Sequence, residues 1–201
     1  MARCLIMCGL LFLLCVAAPA QVIEFESKGM KYLTLTRSAV TVMYAVMPNH
    51  LHEYGIVQVA VSNGSPGSYV IKPEDFTFVR TDGVVLRASP ARTVVNMLSE
   101  KGRASDVISL ITSYENAVYG NSRLKSTNGY EQRRQSALAM GSTKLKAMAA
   151  ASALALVQTK LVPGESTDGA VFFTNEGKPL GPGHLVVRTN TDVFDFTTDT
   201  P

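Results

Sequence analysis

His50-Leu51-His52, followed by Glu53, is the one metal-like spacing in this sequence. In an extended segment, side chains two apart share a face, so His50 and His52 could hold one zinc between them. A third ligand would have to come from His184 or from a carboxylate. Pro48-Asn49 precedes the pair, and a polar loop before a strand is the plainer alternative. A second group is aromatic and basic. Tyr119, Tyr130, Arg133 and Arg134 lie in two segments, residues 113–120 and 128–134, that flank one loop. Tyrosine and arginine are enriched at interface anchors, so these four would make a docking surface for a partner. On that reading, replacing Arg133 and Arg134 by glutamate abolishes partner capture and leaves thermal stability nearly unchanged. The competing use is local: Glu131 and Arg134, three apart on a helix, form a surface ion pair of roughly 0.2–0.5 kcal/mol.

Other chemistry lacks its parts. The sequence has no Gly-x-Ser-x-Gly elbow, no phosphate-cradling Gly-x-x-x-x-Gly-Lys, no Gly-x-Gly-x-x-Gly and no calcium loop. Glu74-Asp75 follows Pro73 and reads as a turn, while Asp195 and Asp199 have no distinguishing context. No cofactor is expected, and no catalytic residue is assigned.

The N-terminus sets the expected location. Met1-Ala2-Arg3 is followed by an apolar run over residues 4–16 and then by Ala18-Pro19-Ala20. This is the order of a secretory signal peptide over residues 1–20, with the mature chain beginning at Gln21. The apolar run is shorter than the roughly 20 residues that a spanning helix needs. All three cysteines, Cys4, Cys8 and Cys15, fall inside it. The mature chain would therefore hold no disulfide and no thiolate ligand, which suits a bacterial periplasm or exterior. Asn63-Gly64-Ser65 fits a glycosylation triplet but carries little weight with Pro66 behind it.

The elements that must carry these residues run strands, helices, strands. Residues 22–88 are β in pattern. Val57, Val59 and Val61 share one face and Gln58, Ala60 and Ser62 the other, so one face should be buried and the other partly wet. Asp82-Gly83 reads as a tight hairpin turn. After Pro90 the period changes. Residues 93–101 fit a helical turn, and Asp106 can cap a helix in which Val107, Leu110, Ile111, Tyr114 and Val118 recur at three- and four-residue steps. A further helix is expected from about Tyr130 to about Lys160, with Leu138, Leu145, Met148, Ser152 and Leu156 on one face and a kink or split at Gly141-Ser142. Strands return at residues 170–174, 184–188 and 192–197. Nine or ten short strands with turn signals between them suit two antiparallel sheets packed face to face, with residues 89–160 as a helical insertion. That insertion carries 10 Lys and Arg against 4 Asp and Glu, while the rest of the mature chain carries 8 against 12. Opposite charge could hold the two parts together, or could present a basic end to an anionic partner.

The succession Val57-x-Val59-x-Val61-x-Asn63-Gly64, Pro73-x-Asp75-Phe76, Asp82-Gly83, Leu161-Val162-Pro163-Gly164-Glu165 and Gly169-Ala170-Val171-Phe172-Phe173 resembles bacterial exported immunoglobulin-like domains of unknown function, broadly of the secreted mycobacterial immunoprotective antigen type. The likeness implies a mainly β fold, an immunoglobulin-like antiparallel β-sandwich over residues 21–201, here with a two- or three-helix insertion. It also implies an envelope or secreted binding module and brings no catalytic residues. The leading expectation is a non-enzymatic interaction module whose partner is another envelope or extracellular protein. A metal- or ligand-dependent enzyme site around His50 and His52, and a structural or assembly role, are the alternatives. Nucleic acid is disfavoured by export and modest net charge, and no membrane span is expected in the mature chain.

Overall fold

Long runs of β-branched and aromatic residues build three adjoining antiparallel strands: β2 (Met30–Arg37), β3 (Val40–Leu51) and β4 (Tyr54–Asn63). The structure, a computed structural model, describes residues 21–119 and 129–198. The expected signal peptide, its three cysteines, and Arg123 and Lys125 of the loop lie outside the described residues. The remaining strands are β1 (Ile23–Ser27), β5 (Tyr69–Ile71), β6 (Phe76–Arg80), β7 (Val85–Ser89), β8 (Thr159–Leu161), β9 (Ser166–Thr174), β10 (Gly183–Arg188) and β11 (Val193–Asp195). Among the described residues four helices, where the sequence predicted two or three, separate β7 from β8: α1 (Ala91–Lys101), α2 (Ala104–Tyr119), α3 (Tyr130–Leu138) and α4 (Thr143–Leu154). No described helix is long and apolar enough to cross a membrane.

Nine strands form one continuous antiparallel sheet in the order β1-β2-β3-β4-β9-β7-β6-β10-β11, and β5 pairs separately with β8. The two separate sheets expected from the turn spacing are therefore joined. The join is β7, which pairs with β6 and, through Ala88 and Ser89, with Phe173 and Phe172 of β9. The α+β class holds, with antiparallel strands before and after the insertion completing one sheet. The sheet curls so that its two halves enclose an apolar core. Val42, Tyr44, Val57, Val59, Val61, Val171 and Phe173 come from one half, and Phe76, Phe78, Leu185, Val187 and Phe194 from the other. Asp82-Gly83 turns the β6–β7 hairpin as the sequence predicts, with Gly83 at φ +85°.

Contrary to the half-wet face expected, β4 is buried on both sides over nearly its whole length. The helices cover its outer face. Tyr54 and Ile56 of β4, with Phe172 of β9, pack against Val94, Leu98, Leu110, Tyr114, Ala147, Ala151 and Leu154. Asn63, nominally a glycosylation acceptor, is fully buried. Its amide nitrogen donates to Gly67 O (2.7 Å) and Leu161 O (3.1 Å).

Tyr44 gives the core a pH limit. Its ring meets Phe196 edge to face at 4.9 Å. Burial pushes its hydroxyl up to about 12, only partly offset by a backbone hydrogen bond at Leu185. In the unfolded chain the same group ionises near pH 10, so stability falls as pH rises from about 10 to 12, by about 2–3 kcal/mol from this residue. Urea midpoints measured between pH 8 and 12 should show that fall, and Tyr44→Phe should make it less steep, leaving the part due to Tyr130 and the other buried tyrosines. An equally steep fall in the phenylalanine variant would place the titration elsewhere.

Candidate functional site

The residues nominated by sequence come together, but as an internal clasp. Tyr130 opens α3 and is 7% exposed, its ring 4.9 Å from that of Tyr114 and tilted by 55°. Its hydroxyl donates to Glu115 Oε1 at 3.3 Å, and Arg134 Nε pairs with the same oxygen. Burial, then the Glu115 carboxylate, holds the Tyr130 hydroxyl well above the usual tyrosine range. Arg133 sends Nε and Nη2 to Ala153 O at 3.1 and 3.0 Å. That carbonyl belongs to the last turn of α4, where a cation also suits the helix dipole. One face of α3 is thus tied to α2 through Glu115 and to α4 through Ala153. Beneath them Tyr114, fully buried, donates its hydroxyl to Asp168 Oδ2 on β9. Tyr119 ends α2, and its side chain lies outside the described residues.

This placement alters the meaning of the arginine pair. Glutamate at 134 would face Glu115 and the Tyr130 hydroxyl, so a double reversal at 133 and 134 is no neutral surface change. The local Glu131–Arg134 pairing gives way to Glu115 on α2. That partner lies across the loop, and no helical spacing points to it. Sequence reasoning also missed Asp168 and Gln58. The latter is fully buried on β4, with Nε2 3.2 Å from Val59 O and Oε1 without a partner among the described residues. The only signal was a lone amide in a valine strand.

The histidines separate. His50 is exposed near the end of β3, beyond a register shift that begins at Val46. His52 turns the chain into β4 at φ +50°, so the period-two argument for a shared face does not apply. Its Nε2 lies 3.0 Å from Asp106 Oδ2, which also accepts the Arg103 N–H at 2.7 Å. His52 therefore latches the β3–β4 turn to the start of α2. His184 is on β10, 3.6 Å from Asp195. Among the described residues no three His, Cys, Asp or Glu side chains gather in a metal-binding arrangement.

The outward side of the helical layer is different in character. The buried face of α4 is Ala147, Ala150, Ala151 and Leu154, while Leu145 is exposed. The expected inner face containing Leu138 and Leu145 is thereby corrected: small residues let α4 sit close to its neighbours, and the leucines point out. A Cβ on Gly102, just after α1, would stand 3.1 Å from Ala147 Cβ. The end of α1 therefore meets the first turns of α4. Lys101 and Arg103 share that end of the layer with Lys144 and Lys146. Lys101, Arg103 and Lys144 are exposed and Lys146 partly so, and none has a carboxylate at ion-pair distance among the described residues. Compared with known proteins, the chain matches no family model, no curated protein and no solved structure.

Proposed function

We propose that this protein is a non-enzymatic interaction module of the cell envelope, exported by its N-terminal segment, whose helical layer engages an anionic partner. The observation that carries this reading is the basic end of the layer, where the end of α1 with Lys101 and Arg103 approaches the first turns of α4 with Lys144 and Lys146, none of the four with an ion-pair partner among the described residues. The inner polar groups support it: Tyr114, Tyr130, Glu115 and Arg134 are engaged in seating the helices, which leaves the outer basic groups as the working surface. Tyr130, Arg133 and Arg134 serve that surface indirectly, by seating α3 on α2 and on the last turn of α4. The immunoglobulin-like kinship belongs to the same proposal. A curled antiparallel sheet around one core is a rigid carrier for a variable insertion.

The test is charge reversal at the basic end. Crosslinking to native envelopes should fall at least tenfold when Lys101, Arg103, Lys144 and Lys146 all become glutamate, and raising the salt should weaken wild-type capture. The melting temperature should hardly move, because all four residues lie outside the core, and an acidic side chain in place of Lys144 would sit favourably in the first turn of α4. Undiminished capture by the folded variant would refute the proposal. Replacing the whole insertion is a poorer test, since it would uncover Tyr54, Ile56 and Phe172.

A further inference from the structure

The α3–α4 turn carries three outward apolar side chains within eight residues. Leu138 ends α3 at 39% exposure, Met140 stands in the turn at 40%, and Leu145 lies on the first turn of α4 at 49%. A Cβ placed on Gly141 would meet nothing within 4 Å, so the turn is open at that residue, while Met140 borders the groove between α3 and α4. Lys144 and Lys146 flank Leu145. From Gln132 to Lys160 the sequence contains no aspartate or glutamate. A turn with exposed apolar side chains, cations on either side of one of them and no acid in its own stretch of sequence has the chemistry of an interfacial membrane contact. Its apolar groups can enter the headgroup boundary, while the lysine stems lie along it and the ammonium groups reach phosphates.

We infer that the α3–α4 turn docks on an anionic lipid surface, with Leu138, Met140 and Leu145 entering the headgroup region and Lys144 and Lys146 binding lipid phosphates. This deepens the interaction reading and rests on it. Because no described helix can span a bilayer, such a contact lies on the membrane. Two short elements meet the lipid, so binding is modest and reversible and depends on both the apolar and the charged parts.

The experiment uses the chain from Gln21, which holds every described strand and helix, with vesicles of phosphatidylglycerol and phosphatidylcholine in equal parts or of phosphatidylcholine alone. Co-sedimentation should be at least tenfold stronger with the anionic vesicles. Replacing Leu138, Met140 and Leu145 by serine should weaken it at least fivefold, and Lys144→Glu with Lys146→Glu should do the same. More than half of each side chain is covered, so the serine variant should melt at a lower temperature, and its binding is measured well below that midpoint. Equal binding to both vesicles, or an unaffected serine variant, overturns the lipid assignment. If vesicles fail while the fourfold charge reversal still abolishes envelope crosslinking, the partner is an acidic protein: the lipid inference falls and the interaction reading stands. A wild-type dimer in sedimentation velocity that the serine variant dissociates would make the patch a self-interface, which also overturns it.

Discussion

Truncating Tyr114 to alanine should lower the free energy of unfolding by about 4 kcal/mol, the range for losing a fully buried aromatic side chain. Tyr114 is a buried point of contact between the helical layer and the sheet. Its ring packs against Tyr130 and its hydroxyl reaches Asp168 on β9. The two contributions can be separated. Tyr114→Phe keeps the ring and removes one donor from a carboxylate that is 4% exposed, a loss of about 1–3 kcal/mol. Urea denaturation of both variants measures each part. Alanine should cost clearly more than phenylalanine, because it also opens a cavity under α2 and α3. Equal losses would mean that the ring contributes little packing. Losses below about 1 kcal/mol for both, within the range of ordinary surface changes, would mean that α2 does not seat on β9 through this residue.

What the sequence made legible follows from how local each signal is. The strand at β4 and the Asp82-Gly83 turn are set by adjacent residues and appear where expected, although β4 is buried on both faces and not on one. The start of the insertion follows from the change of period after Pro90, whereas its last helix ends at Leu154, short of the expected Lys160. The break at Gly141-Ser142 was also visible, and it divides α3 from α4 completely rather than kinking one long helix. The buried face of α4 was hidden because alanine marks neither side of a helix strongly. The leucines therefore looked like the inner stripe when close packing had reserved that stripe for smaller residues. β8 was hidden by position, its first two residues, Thr159 and Lys160, falling inside the expected helix. The clasp was hidden for a different reason. Arg134 has an acid three residues before it, yet its partner is Glu115, brought near only when α3 folds back on α2. The histidine pair failed through one dihedral, since a left-handed residue at 52 breaks the extended geometry that the spacing assumed.

Replacing Gly169 with alanine should cost about 3 kcal/mol, the upper end for forcing a methyl group into a packed site. Gly169 faces the segment by which the chain leaves α4. An added Cβ would lie 2.6 Å from both the nitrogen and the Cα of Leu156. These are backbone atoms, so no side-chain rotation relieves the clash and the segment itself must move. That segment joins the two cores. Ala155 belongs to the core under the helices and Leu156 to the core inside the curled sheet. Its hold on β9 is a short parallel bridge between Ala155 and Ala170, with the Leu156 N–H donating to Ala170 O at 2.9 Å. Displacing it would break that bond and withdraw Leu156 from the inner core, so the methyl acts on both layers at once. Amide exchange gives the specific readout: Gly169→Ala should strip protection from the Leu156 N–H well before the centre of β4 is affected. Wild-type protection at Leu156, with a stability loss under about 1 kcal/mol, would show that this segment is not held against β9. The insertion would then be tied to the sheet through α2, by the Tyr114–Asp168, His52–Asp106, Tyr32–Ala117 and Asn49–Ser113 contacts, and by the packing under the helices. With the segment in place, the helical layer is anchored at both ends, by β7 running into α1 and by Leu156 leaving α4, and its outer basic and apolar groups are carried on a rigid frame.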